Sequence, residues 1–298
     1  MSELATPSAS ASASAKIPRL ERQAWERRTL TNRFLTLLTW LVAILGSVPL
    51  FSVIFMLVSE GGARLDWEAI TALPPAGFDM GGGFGNAIIG TLVMVAIASL
   101  ISVPLGILAA IYLAVLGPAS KLASASRFVA KTLTGFPSIL AGVFTYAILV
   151  VNFGYSALAG GVALSVLMLP TVILAAEEAM KQVPQKMVDA AYGMGCTPTQ
   201  VIWKVVLPTG APGILTGVML AVAGAAGESA PLLFTALFSN YYLESLMEPT
   251  ASLSILIYNF SAMPFDNQIQ LAWAASLVLV LIVLVFNILA RLVSRPKF

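Results

Sequence analysis

Few residues in this chain are able to do chemistry, and their scarcity narrows the function. Among 298 residues there is no histidine and one cysteine, Cys196. Without histidine the commonest general base is gone, and with it the Ser-His-Asp type of triad and most zinc-site patterns. A single cysteine excludes an internal disulfide. No Gly-rich run ends in Gly-Lys-Ser or Gly-Lys-Thr, so the chain has no P-loop for ATP. Any ATP used on its behalf binds to another polypeptide. No paired carboxylates or nucleophile–base pair stand out, so no catalytic residue, metal site or cofactor is expected in this chain.

What remains is a handful of polar side chains set in apolar surroundings. Glu228 lies inside an apolar run, and an ionisable group at membrane depth is a functional candidate by default. It reads as a gate or pathway residue, as a pair with a basic group on the partner subunit, or as a carboxyl hydrogen-bonded between helices. Like charges repel, so it is a poor direct ligand for an anion. Ser229 beside it, and Thr134 and Ser138 earlier in the chain, offer neutral donors, and Pro231 frees a backbone carbonyl. Ser and Thr also commonly bond to their own helix backbone, the plainer reading of these hydroxyls.

The elements that position these residues follow from composition. The chain is 58% hydrophobic and 10% charged, against roughly 25% charged in an ordinary soluble domain. Six apolar stretches, 34–58, 86–116, 128–151, 157–176, 212–238 and 269–293, meet the length of about 20 residues that a helix needs to cross a bilayer. They run continuously rather than alternating, which excludes a membrane barrel. The expected fold is an all-α membrane protein with six transmembrane helices. All but one of the 16 Lys and Arg residues fall in the N-terminal segment, in the segments 117–131 and 177–208, and at the C-terminus; Arg64 is the exception. By the positive-inside rule both termini are cytoplasmic.

Residues 1–33 read as a disordered basic cytoplasmic tail, Ser/Ala-rich to about residue 16 and then carrying five arginines. The apolar run that follows is too long for a signal peptide and reads as a retained transmembrane helix over 34–58. Residues 59–85 form an outside loop, 86–293 a five-helix core, and 294–298 a second cytoplasmic tail. Pro104, Pro137 and Pro231 each predict a kink or end, from ordinary bending or beside a cavity. Gly213 and Gly217 have the spacing that lets helices approach closely. Lys131 is placed to reach the headgroups, and Trp25, Trp40, Trp67, Trp203 and Trp273 to anchor at the interfaces.

The segment 177–208 is the longest cytoplasmic loop and has structure of its own. Pro184 predicts a helix start and Gln185–Tyr192 a short helix, ended by Gly193 and Gly195. Thr197-Pro198-Thr199-Gln200 is a capping-box pattern opening a second short helix that stops at Pro208, where the fifth span begins. Two short helices at a Gly turn make a compact projection, with Ala190 and Ala191 small enough for a partner to approach. An amphipathic piece lying on the headgroups is the alternative.

This loop resembles the cytoplasmic signature of ATP-binding-cassette (ABC) importer permeases: an acidic residue, two alanines, a glycine four positions on, and a closing Leu-Pro. Here it reads Asp189-Ala190-Ala191, Gly195, then Val205-Val206-Leu207-Pro208. Further stretches, Asn86–Thr91, Pro104–Leu113, Gly135–Ile139 and Gly227–Ala236, are similar to the phosphate-importer permeases of PstA type. Val115 and Gly224 depart from that pattern, standing where an acidic residue and an arginine are common. The resemblance implies a MetI-like core with an extra N-terminal helix, in the cytoplasmic (inner) membrane of a prokaryote. It implies that 185–195 is a coupling helix docking on an ATPase. It also implies a homologous PstC-type permease, an ATPase pair holding ATP and Mg, and an extracytoplasmic phosphate-binding protein as partners. No nucleic-acid partner is expected. The implied activity is uptake of inorganic phosphate by ATP-coupled alternating access. Transport of sulfate, molybdate or tungstate, or a role as an ATPase-independent channel or sensor, is the alternative.

Overall fold

A computed structural model describes residues 27–293, and every regular element in it is helical. The expectations for 1–26, including Lys16, Arg19, Arg22 and Trp25, and for the tail 294–298 lie outside the described residues.

Helix α1 spans Arg27–Ala63, opening seven residues before the expected start and closing five after the expected end. Residues 27–33 are therefore helical: Arg and Thr continue a helix readily once an apolar run has nucleated it. Contacts divide the chain into two units, one ending at Ile54 and one beginning at Phe55. The described part of the first, 27–54, is helix alone. Its Leu37, Trp40 and Phe51 are all more than 60% exposed, the surface of a segment suited to lipid.

The second unit is built around α6, Ala157–Lys181. Helix α3 (Gly85–Leu116) and α8 (Pro198–Gly227) both pack on it, and α11 (Asp266–Val293) packs on α8. Small residues set these approaches. A Cβ on Gly213 would lie 2.8 Å from that of Ala179, and one on Gly217 would collide with Ala175, so the small-residue spacing in α8 is a true packing seam. Gly106 likewise lies against Val172.

The third apolar stretch is not one straight span. Helices α4 (Lys121–Thr134) and α5 (Ser138–Phe153) meet at a break bent by 105°. Pro137 explains it: the ring removes a donor and biases the preceding residue away from helix. Among the described residues five helices are long and apolar enough to cross a bilayer, and the α4–α5 pair makes a sixth if the bent pair counts as one span. Helix α3, by contrast, continues through Pro104 and widens only at Tyr112–Leu116, a π-helical turn in which half-buried Val115 packs on the core.

Outside the spans, the 59–85 segment holds a short α2, Trp67–Thr71, capped by Asp66. Asn86, Gly90 and Thr91 turn out to be structural anchors. Asn86 Nδ2 donates to Ser239 O at 2.7 Å, and Thr91 Oγ1 accepts from Leu253 N at 2.8 Å. Gly90 leaves room for the Ala251 carbonyl. Together they hold the irregular segment before α10, Leu253–Ser261.

Candidate functional site

The projection between α6 and α8 is built by local signals. Pro184 N-caps α7, Gln185–Gly193. The helix closes in a Schellman motif: Cys196 N donates to Ala191 O at 3.1 Å and Gly195 N to Tyr192 O at 2.9 Å. Gly195 has φ +83°, the left-handed conformation that glycine adopts without penalty, whereas Gly193 is simply the last helical residue. Thr197 then forms the capping box, its Oγ1 accepting from Gln200 N at 3.3 Å while its N donates to Gln200 Oε1 at 2.9 Å.

Two expectations about this segment are corrected. No separate second helix stops at Pro208: α8 runs unbroken from Pro198 to Gly227. A π-helical turn at Ile202–Val206 precedes the proline, with Leu207 N donating to Ile202 O, so the missing Pro208 donor falls where the helix is already rewound. The loop is also shorter than 177–208, because α6 continues through Glu177 and Glu178 to Lys181.

Ala191 does not face outward. It is 2% exposed, packed with Val183, Val201, Ile202 and Val206 in the main core. Val205 and Leu207 are half-buried beside that core, while Pro208 is exposed. These residues hold the projection to the bundle. The outward surface is Ala190 and Asp189, the latter accepting from Gln185 Nε2 at 2.9 Å, together with Met187, Tyr192 and Met194. Met194 is 79% exposed. The space above Gly193 and Gly195 is open. The exposed face thus sets long apolar side chains beside the Asp189 carboxylate.

The second group converges at the α4–α5 break. A cavity of about 350 Å³ is lined by Thr134, Phe136, Ser138, Thr171, Gly224 and Glu228, with apolar residues of α6 and α8 between them. Three of the five residues proposed from sequence for a path thus line one cavity. Thr134 Oγ1 donates to Lys131 O at 2.7 Å, the ordinary use of a helical hydroxyl. The Ser138 and Thr171 hydroxyls make no hydrogen bond, and the Glu228 carboxylate makes neither hydrogen bond nor ion pair, among the described residues.

Glu228 and Pro231 are not inside a span. Helix α8 ends at Gly227, Glu228 is extended, and a short α9 follows at Ala230–Leu233. Ser229 N-caps α9 without a side-chain bond and does not line the cavity. Pro231 is buried against Gly142, where a Cβ would lie 2.7 Å from its Cα, so it is a packing residue. Ser254 Oγ donates to Glu228 O at 2.9 Å, fixing the backbone and leaving the carboxylate free. The Gly224 backbone is open to the cavity one turn before Glu228, with nothing within 4 Å of a Cβ built there.

Thr171 and the Arg127–Glu177–Lys181 cluster escape sequence reasoning. Glu177 is 3% exposed, and its Oε1 meets Arg127 Nε at 2.5 Å and Lys181 Nζ at 2.6 Å. Only the Glu177–Lys181 spacing, one helical turn, hints at it in the sequence.

Comparison with known proteins agrees with this architecture. Residues 102–296 match the family described as binding-protein-dependent transport system inner membrane component. The chain is 38% identical to the phosphate transport system permease protein PstA of Yersinia pestis, over 94% of both chains. In fold it is similar to a bacterial alginate ABC transporter chain, with a TM-score of 0.64 at 16% identity, covering 90% of this chain and 96% of that one. It is also similar to an inward-facing chain of the MetNI methionine ABC transporter, with a TM-score of 0.53 at 19% identity, covering 72% and 93%. The two solved structures share its fold. The chain belongs to the family of binding-protein-dependent transport system inner membrane components, as a multi-pass permease subunit of the PstA type.

Proposed function

We propose that this chain carries inorganic phosphate across the cytoplasmic membrane as one permease subunit of an ATP-driven importer. The observation that carries the reading is the pairing of a rigid projection, α7, with a cavity walled by α6 and α8, the two helices that flank it in the chain. Phosphate is assigned from the likeness to PstA, a phosphate transport permease by its name.

In this reading Asp189, Ala190, Met187, Tyr192 and Met194 form the face that meets an ATPase. Ala191, Gly195, Val205, Leu207 and Pro208 shape and seat the projection. Closure of an ATPase pair around ATP and Mg displaces α7, and the displacement reorients α6 and α8. The permease gains direction from the different affinities of the ATPase states, with no bond broken in this chain. Thr134, Ser138, Thr171 and Glu228 line the path. Their hydroxyls hydrogen-bond a passing oxyanion, and the carboxylate keeps the site from holding it tightly, which a path requires. A homologous PstC-type permease completes the wall, and an extracytoplasmic phosphate-binding protein supplies the anion.

The test is uptake of labelled phosphate by proteoliposomes holding the complex purified on this subunit. Uptake should need ATP and persist in excess sulfate, molybdate and tungstate. Competition by one of these would reassign the substrate; uptake without ATP would remove the importer reading.

A further inference from the structure

The Arg127–Glu177–Lys181 cluster lies outside the cavity and outside the projection, yet it joins the parts that carry both. Arg127 is on α4, Glu177 and Lys181 on the last turns of α6. Beyond the ion pair, Arg127 Nη2 donates to Leu113 O at 2.6 Å and Nη1 to Pro118 O at 2.9 Å. One guanidinium therefore ties α4 to the end of α3, to the turn after it, and to α6. Its planar fork allows this, whereas a lysine offers a point charge.

Apolar packing does little of that work. Helix α4 buries only Ala123 and Ala130, and its Leu122, Phe128 and Val129 are more than half exposed. The end of α6 is different: Met180 and, just past the helix, Val183 are buried in the same core as Ala191 of α7, so packing ties α7 to the α6 terminus. The cavity lies further along both helices. Thr134 is seven residues beyond Arg127 on α4, and Thr171 is six residues before Glu177 on α6, roughly 10 Å in each case at the helical rise. A displacement of α7 reaches the α6 wall through packing. It reaches the α4 wall through the ion-paired cluster.

We propose that Arg127, Glu177 and Lys181 are positioning residues that make the α4 side of the cavity follow the coupling helix. This rests on the importer reading above. Removing the cluster without leaving a buried charge should uncouple ATP hydrolysis from transport while leaving the complex assembled. Replacing a buried pair with apolar residues of similar volume is often neutral for stability, so Arg127→Met with Glu177→Leu separates positioning from folding.

The experiment uses the complex purified on this subunit in proteoliposomes, with labelled inorganic phosphate and a parallel assay of ATP hydrolysis. Wild-type complex that hydrolyses ATP but takes up no phosphate would overturn the substrate reading before any variant is compared. Given wild-type uptake, the double variant should assemble and hydrolyse ATP normally while phosphate moved per ATP falls about tenfold, within the range that coupling mutations span. Glu177→Asp, which keeps the charge but withdraws it by one methylene, should give a smaller fall. An unchanged ratio in either assembled variant overturns the proposal. Failure of both to assemble also overturns it, in favour of a role in folding alone.

Discussion

The two ends of α8 are made differently. At its start, the segment 184–208 is closed by neighbours in sequence: a proline N-cap, a Schellman turn at Gly195 and a capping box at Thr197. At its finish, Gly224 and Glu228 have no local partner for a side chain, and the wall opposite them comes from α4, α5 and α6. The first end is stiffened by hydrogen bonds between near neighbours in sequence. The second is open, and the Ser138 and Thr171 hydroxyls that line it have no partner among the described residues. In the importer reading proposed above, force enters at the first end and solute passes at the second.

The largest expected effect is at the stiff end. Ala191→Arg forces a cation into a site that is 2% exposed, at a cost of roughly 3–5 kcal/mol. The subunit should be lost from the membrane fraction on immunoblot; normal levels with transport abolished would mean that Ala191 faces a partner after all. Gly217→Leu tests the seam behind both ends. The added side chain meets Ala175 and should lower stability by about 1–3 kcal/mol, read as a lower unfolding midpoint in detergent.

Smaller changes sharpen the contrast. Gly195→Ala has open space around it but φ +83°, so it should cost about 1–2 kcal/mol of backbone strain alone. Met194→Asp alters a side chain that is 79% exposed and should leave the unfolding midpoint within about 0.5 kcal/mol of wild type. It should nevertheless reduce the ATPase recovered with the tagged subunit; unchanged recovery would move the docking face elsewhere. Glu228→Gln removes a charge that has no ion pair among the described residues. Stability should again stay within about 0.5 kcal/mol, while the uptake rate changes. A large loss of stability would show that the carboxylate is a structural hydrogen-bonding group.

The stiff end was largely legible in the sequence because its determinants are local. Pro184, Gly195 and the Thr197–Gln200 pair act over a few residues, and each sits in the conformation its type prefers. What sequence missed there was direction: of two adjacent alanines, Ala190 faces out and Ala191 in, and only the neighbours decide which. The open end was half legible. Glu228, Thr134 and Ser138 do share a cavity, yet Thr171 was unremarkable among apolar neighbours, and Pro231, placed on the path, packs against Gly142 instead. Apolarity alone also ran α8 on to residue 238, because composition cannot mark where a chain leaves one helix and starts a short one.

Hydrophobic length and basic-residue placement are properties of the chain as a string, and they determined that this is a helical membrane protein. The projection 184–201 belongs with them, since turns and caps are settled within one or two helical turns. The tertiary structure alone decided that α4 and α5 bend apart by 105° and that Arg127 reaches Glu177, fifty residues away. It alone decided that hydroxyls from three helices face one cavity. Such meetings depend on how helices are stacked, and the stacking is set by glycines and alanines whose smallness permits many approaches and specifies none until all of them are packed together.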